Sequence, residues 1–140
     1  MSEIKIIECP RDAMQGIKSH FIPTKDKARY INALLKVGFD TIDFGSFVSP
    51  KAIPQMRDTA EVLSMLDLQT TSSKLLAIVA NVRGAATACQ FEEIDYLGFP
   101  FSISENFQMR NTGKTVEQSL QALEEIMNLA VKNKKEVVAY

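Results

Sequence analysis

Cysteine is scarce in this chain: Cys9 and Cys89 are its two, too few and too far apart for a disulfide scaffold or a zinc motif. Scarce thiols fit a reducing, intracellular setting. Histidine is rarer still, with His20 alone, and an isolated imidazole in a loop reads as ordinary surface. No stretch approaches the roughly 20 apolar residues that a membrane helix requires. The opening "MSEIKIIEC" interrupts its short apolar run with acidic residues, unlike a signal peptide. An excess of one charge is missing too. Lysine and arginine total 16 against 17 acidic residues, so no overall field recruits nucleic acid. The densest basic stretch, "VKNKKE", reads as a helix C-terminus whose lysines offset the macrodipole. These absences leave a cytoplasmic type of protein with neither a nucleic-acid nor a membrane partner.

What is present is the balance of a folded domain. Hydrophobic residues make up 46% and charged residues 24% of 140 positions, enough for one core. Strand-like and helix-like segments alternate. Strands are predicted near 4–9, 39–45, 74–81, 94–103 and 136–140, the first of them buried. Helices are predicted between them. One spans 21–38, with Thr24 as N-cap and Gly38 as stop; another lies within 49–66; a short one covers 82–91. The strongest covers 115–135, where Thr115 and Gln118 form a capping box ahead of a Val116, Leu120, Leu123, Ile126 stripe. "SENFQMRNTGK" (104–114) reads as a polar loop. Such alternation implies an α/β fold with a parallel sheet and right-handed crossovers. Two architectures satisfy it, a doubly wound open sheet and part of a (β/α)8 barrel. Four βα units followed by a lone fifth strand favour half a barrel, residues 1–140 forming one partial domain.

In either architecture chemistry collects at the carboxyl ends of the strands. Those ends carry Arg11 and Asp12, then Asp43 and Ser46, then Asn81, then Ser102, Ser104 and Glu105. A strand-end aspartate can give an oxygen to a divalent cation, while an adjacent arginine can steady negative charge on a substrate oxygen. The Arg11–Asp12 dipeptide alone fits a second description, with Asp12 capping a turn and Arg11 solvated. Asp43 likewise fits two: a site carboxylate, or a buried partner for Arg11.

The blocks "ECPRDAMQ", "FIPTKDKARYINALLKVGFDTIDFGSFVSPKAIPQM" and "ANVRGA" resemble, in order, the amino-terminal half of 3-hydroxy-3-methylglutaryl-CoA (HMG-CoA) lyases. That family's signature after the first strand, Pro-Arg-Asp-Gly-Leu-Gln, is matched at Pro10, Arg11, Asp12 and Gln15, with Ala13 and Met14 replacing Gly-Leu. The resemblance implies a metal-dependent TIM barrel that cleaves HMG-CoA to acetyl-CoA and acetoacetate by retro-Claisen chemistry, in leucine degradation. It implies Asp12 as ligand to Mg²⁺ or Mn²⁺, and Arg11 as the group that binds substrate and stabilises the enolate oxygen. Gln15, Lys18 and Ser46 would be substrate-side residues, and Asp43 would be catalytic where the family usually has Glu. The other family ligands, a His-x-His pair and an Asn, together with a mobile-loop Cys, lie in the carboxyl-terminal half. The chain alone is therefore expected to be inactive, either lacking that half or forming a homo-oligomer, with an acyl-CoA as substrate of the complete protein. Two alternatives stand beside this reading: an acetyl-CoA-condensing synthase of the same barrel group, which the "SFVSPK" block disfavours, and a non-catalytic half-barrel that self-associates.

Overall fold

The computed structural model describes residues 4–140. Its elements run β1 (Ile7–Glu8), α1 (Pro10–Gln15), α2 (Thr24–Leu35), β2 (Thr41–Ser46), a 3₁₀ turn (Pro54–Met56) and α3 (Thr59–Leu63). They continue with β3 (Lys74–Ile78), α4 (Val82–Ala88), β4 (Tyr96–Phe99), α5 (Glu105–Thr112), α6 (Val116–Lys132) and β5 (Glu136–Ala139).

The five strands form one sheet in the order β1-β2-β3-β4-β5, and every pairing is parallel. That order decides between the two architectures. A doubly wound sheet reverses direction at a switch point, whereas spatial order that follows chain order keeps every crossover on one side. The fold is α/β and curls as half of a (β/α)8 barrel.

Alternation along each strand divides the sheet into two faces. Ile42, Leu75, Ala77, Val79 and Leu97, all at most 1% exposed, join Ile31 of α2 and Ile126 of α6 in the core beneath the helices. Ile7, Asp43, Leu76 and Val138 face the concave side. A bulge between Asp43 and Gly45 shifts the β2–β3 register, and such an extra residue re-aims its neighbours. Gly45 is required there: a Cβ would lie 2.5 Å from Thr59 Cγ2, and the Thr59 hydroxyl accepts the Ser46 N–H at 3.0 Å.

Several local predictions are corrected. The first strand pairs only over Ile7–Glu8 and is not buried; Ile4, Ile6 and Ile7 are exposed because β1 is an edge with a neighbour on one side. The fourth strand stops at Phe99, because Pro100 has no N–H to donate to the ladder. The span 49–66 is broken by Pro54 into a 3₁₀ turn and the short α3. Thr24 is the first helical residue rather than the cap, and its hydroxyl donates to Asp58 at 2.8 Å. The supposed loop 104–114 is largely α5. Ser104 caps its start, and Gly113, at φ +68°, closes it in the left-handed conformation. Gln108, 1% exposed, ties α5 inward by accepting from Ser102 N–H and donating to Ser119 Oγ.

The loop after α1 is held from below. Gln55 donates to the carbonyls of Ile17 and His20 at 2.8 Å each and accepts from Ile22 N–H. Lys27, 1% exposed, donates to the Gln55 carbonyl and to Asp58. This bracket fixes where α1 ends, and so where Arg11 sits.

Candidate active site

Pro10 explains why a helix follows β1 directly. It occupies the first turn of α1, where its missing N–H would have had no partner and its fixed φ suits the helix. The side chains of Arg11 and Asp12 are thereby presented at the carboxyl end of β1. Arg11 is 8% exposed and Asp43 4% exposed. Arg11 Nε donates to both Asp43 oxygens at 3.1 Å, and Nη2 donates to Oδ2 at 2.6 Å. The remaining nitrogen, Nη1, donates to Asp12 Oδ1 at 3.1 Å. One guanidinium thus bridges two carboxylates, one buried and one open to solvent. Gln15 Nε2 also donates to Asp12 Oδ1, at 2.9 Å. Gln15 Oε1 is buried with no partner.

These groups open onto a cavity of about 370 Å³ lined by Ile7, Cys9, Arg11, Asp12, Asp43, Leu76, Val138 and Tyr140. Its chemistry is a charged end facing an apolar wall. Burial pushes the Asp43 carboxyl above its ordinary value, against the opposing pull of the Arg11 hydrogen bonds. Burial also lifts the Tyr140 phenol and the Cys9 thiol, so both are neutral at pH 7 and the phenol is a potential donor.

Of the residues singled out in the sequence, the structure brings Arg11, Asp12 and Asp43 together, with Gln15 bonded to Asp12. It does not bring in Lys18, which is exposed on the loop after α1, or Ser46, which is buried. The Ser46 hydroxyl accepts from Val48 N–H. Asn81 and Ser104 cap α4 and α5, and Glu105 accepts from Val116 N–H at the start of α6, so these three stabilise helix starts. Cys9 is exposed and lines the cavity. Val138 and Tyr140 were missed. Their signal was present: they are two apart in the predicted strand 136–140, an alternation that puts both on one face.

Relatives and solved structures agree on one activity. Hydroxymethylglutaryl-CoA lyase from Gallus gallus mitochondria is 35% identical over 130 residues, covering 91% of this chain and 42% of that protein. The HMG-CoA lyase of Bacillus subtilis superposes with a TM-score of 0.90 at 33% identity, covering 99% of this chain and 46% of the other. The Acinetobacter baumannii HMG-CoA lyase, solved with coenzyme A and 3-methylmalate, gives 0.86 at 32% identity, covering 96% and 43%. The chain resembles the amino-terminal half of HMG-CoA lyases. It spans less than half the length of these lyases. No protein-family model matches it. Lyases named as mitochondrial and as cytoplasmic both occur among the relatives, and no helix among the described residues is long and apolar enough to cross a membrane.

The lyase resemblance raises the question of a divalent cation. Among the described residues no group of three or more His, Cys, Asp or Glu side chains could hold a metal ion. Asp43 is occupied by Arg11. Of the two site carboxylates, only Asp12 keeps an oxygen not engaged by Arg11 or Gln15, and its side chain is 65% exposed. The hard oxygen at Asp12 suits Mg²⁺ or Mn²⁺, but one carboxylate does not fix a cation by itself.

Proposed function

We propose that this chain supplies the amino-terminal half of an HMG-CoA lyase site, with a carboxyl-terminal half contributing the rest. The single observation that carries the reading is the Arg11 guanidinium bridging Asp43 and Asp12 at the mouth of the cavity. In the complete site Asp12 would be one ligand of a divalent cation. The bound cation would polarise substrate oxygens.

The remaining roles belong to this chain's own groups. Cleavage of HMG-CoA begins with loss of the 3-hydroxyl proton to a base. The C2–C3 bond then breaks, its electron pair moves into the thioester fragment as an enolate, and the former C3 becomes the ketone of acetoacetate. Protonation of the enolate gives acetyl-CoA. Arg11 is placed to steady the charge that grows on the enolate oxygen, since it stays protonated and its planar donors are held at fixed angles. Asp43 acts through Arg11: three hydrogen bonds orient the guanidinium, which makes Asp43 a positioning residue rather than a base. Gln15 does the same for Asp12. Leu76, Val138 and Ile7 form an apolar wall facing the charged end of the cavity.

The test is complementation. The chain joined to the carboxyl-terminal half of the B. subtilis lyase should convert HMG-CoA to acetyl-CoA and acetoacetate, and the 140-residue chain alone should not. Condensation of acetyl-CoA with a keto acid by the joined protein, without HMG-CoA cleavage, would overturn the assignment.

A further inference from the structure

Neither Gln55 nor Thr59 lines the cavity, yet the block 54–59 grips both elements that carry Arg11 and Asp43. On the β2 side the grip falls on the bulge. Strict alternation would turn Gly45 to the concave side together with Asp43. Instead Asp43 pairs with Leu76 and Gly45 with Ala77, which leaves Phe44 as the extra residue. Phe44 packs in the core, and a Cβ on Gly45 would run into Thr59, so two consecutive residues face the helices. Asp43 is the last residue before this break, and its direction depends on where the break is held. Thr59 holds it. Its buried hydroxyl accepts from Ser46 N–H at 3.0 Å and gives its one proton to the carbonyl of Met56 at 2.8 Å or of Ser46 at 3.0 Å.

Gln55 reaches the other member of the pair. Both of its amide protons and its oxygen go to the loop 17–22 that follows α1. Two cations brace the same loop: Arg57 and Lys27 lie 3.7 Å and 4.0 Å from the centre of the Phe21 ring. Asp58 accepts from Lys27 and Thr24, which ties the block to α2 as well. A helix of six residues has little stability of its own, so α1 takes its place from its surroundings. The loop contacts therefore fix the end of α1, and with it the angle at which Arg11 meets Asp43.

We propose that Gln55 and Thr59 are positioning residues for the Arg11–Asp43 pair, Gln55 through α1 and Thr59 through the β2 bulge. Thr59→Val keeps the shape of the side chain and removes the hydroxyl, whereas Thr59→Ser keeps the hydroxyl. Gln55→Met keeps the length and removes all three bonds. Nitrogen-15 NMR of the chain reads the pair directly, because the Arg11 Nε–H enclosed by Asp43 gives a slowly exchanging signal. Thr59→Val and Gln55→Met should each shift that signal and speed its exchange with water at least about tenfold. Thr59→Ser should stay close to the parent. In the chain joined to the B. subtilis carboxyl-terminal half, Thr59→Val and Gln55→Met should lower kcat roughly tenfold with KM changed by less than about twofold. Adding Thr59→Val to Asp43→Asn should lower kcat little further, since the hydroxyl acts through that carboxylate. Circular dichroism selects the folded variants, and Gln55→Asn and Thr59→Ala stand in where the first change unfolds the chain.

A parent-like Arg11 signal in a folded variant at either position would overturn the proposal, whatever that variant loses in stability. So would kcat losses from Thr59→Val and Asp43→Asn that multiply in full. The activity arm rests on the lyase reading and the Arg11 signal does not. A joined parent that leaves HMG-CoA intact overturns the lyase reading alone.

Discussion

Arg11 lies across Asp43 with Nε 3.1 Å from each carboxylate oxygen and Nη2 2.6 Å from Oδ2, in a site from which both side chains are almost wholly withdrawn from water. A charge pair this enclosed has little alternative solvation, so loss of either member is costly. Asp43→Ala strands the guanidinium and is expected to lower stability by about 3–5 kcal/mol. Asp43→Asn, which keeps an acceptor, should cost less. Urea unfolding of both variants against the parent checks the order.

The pair also sets a pH dependence. Burial holds the folded Asp43 carboxyl above its ordinary 3.8, with the Arg11 bonds opposing. The folded chain therefore binds this proton more tightly than the unfolded chain. The resulting contribution to stability is complete below the unfolded value and is lost as pH rises through the folded one. Subtracting the Asp43→Asn stability profile from that of the parent should leave a difference that declines with rising pH in that window. A difference that grows with pH would mean that the Arg11 bonds outweigh burial.

Gly98 keeps the concave side open. A Cβ there would come within 2.6 Å of Ile78 Cδ1 and 2.9 Å of Leu76 Cδ2, with Tyr140 Cε1 at 3.5 Å. Gly98→Val should drive Leu76 toward the cavity and cost about 1–3 kcal/mol. Methyl NMR of Leu76 would report the displacement, and urea unfolding the cost.

At α6 the capping box is complete: Thr115 Oγ1 accepts from Gln118 N–H, and Gln118 Oε1 accepts from Thr115 N–H. Thr115→Ala should lower stability by about 1 kcal/mol. The variant's thermal midpoint should fall while its far-ultraviolet dichroism at low temperature stays unchanged.

The parallel sheet was legible in the sequence because β-branched runs alternated with helical periods of crossover length. α1 was not, since a six-residue helix shows no periodicity, and Pro10 was its one signal. α5 hid for a related reason. Its apolar positions do not fall on one face, and the readable marks were its ends, Ser104 and Gly113. The exposure of β1 depends on which strands lie beside it, a property that the residues of β1 do not carry. Arg11, Asp12 and Asp43 were found together because strand ends converge. Lys18 came from the family resemblance and Ser46 from its place at a strand end as well, and the structure leaves both outside the cavity. Tyr140 required the strand alternation to be followed to its last residue.

The central claim assigns Arg11 to substrate charge and Asp12 to the cation, and one measurement separates them: Mn²⁺ affinity of the joined protein by calorimetry, alongside its turnover of HMG-CoA. Arg11→Ala should abolish turnover and leave Mn²⁺ affinity nearly unchanged, whereas Asp12→Ala should weaken Mn²⁺ binding by at least about tenfold. Equal loss of Mn²⁺ affinity in the two variants, or full turnover by Arg11→Ala, would contradict the account.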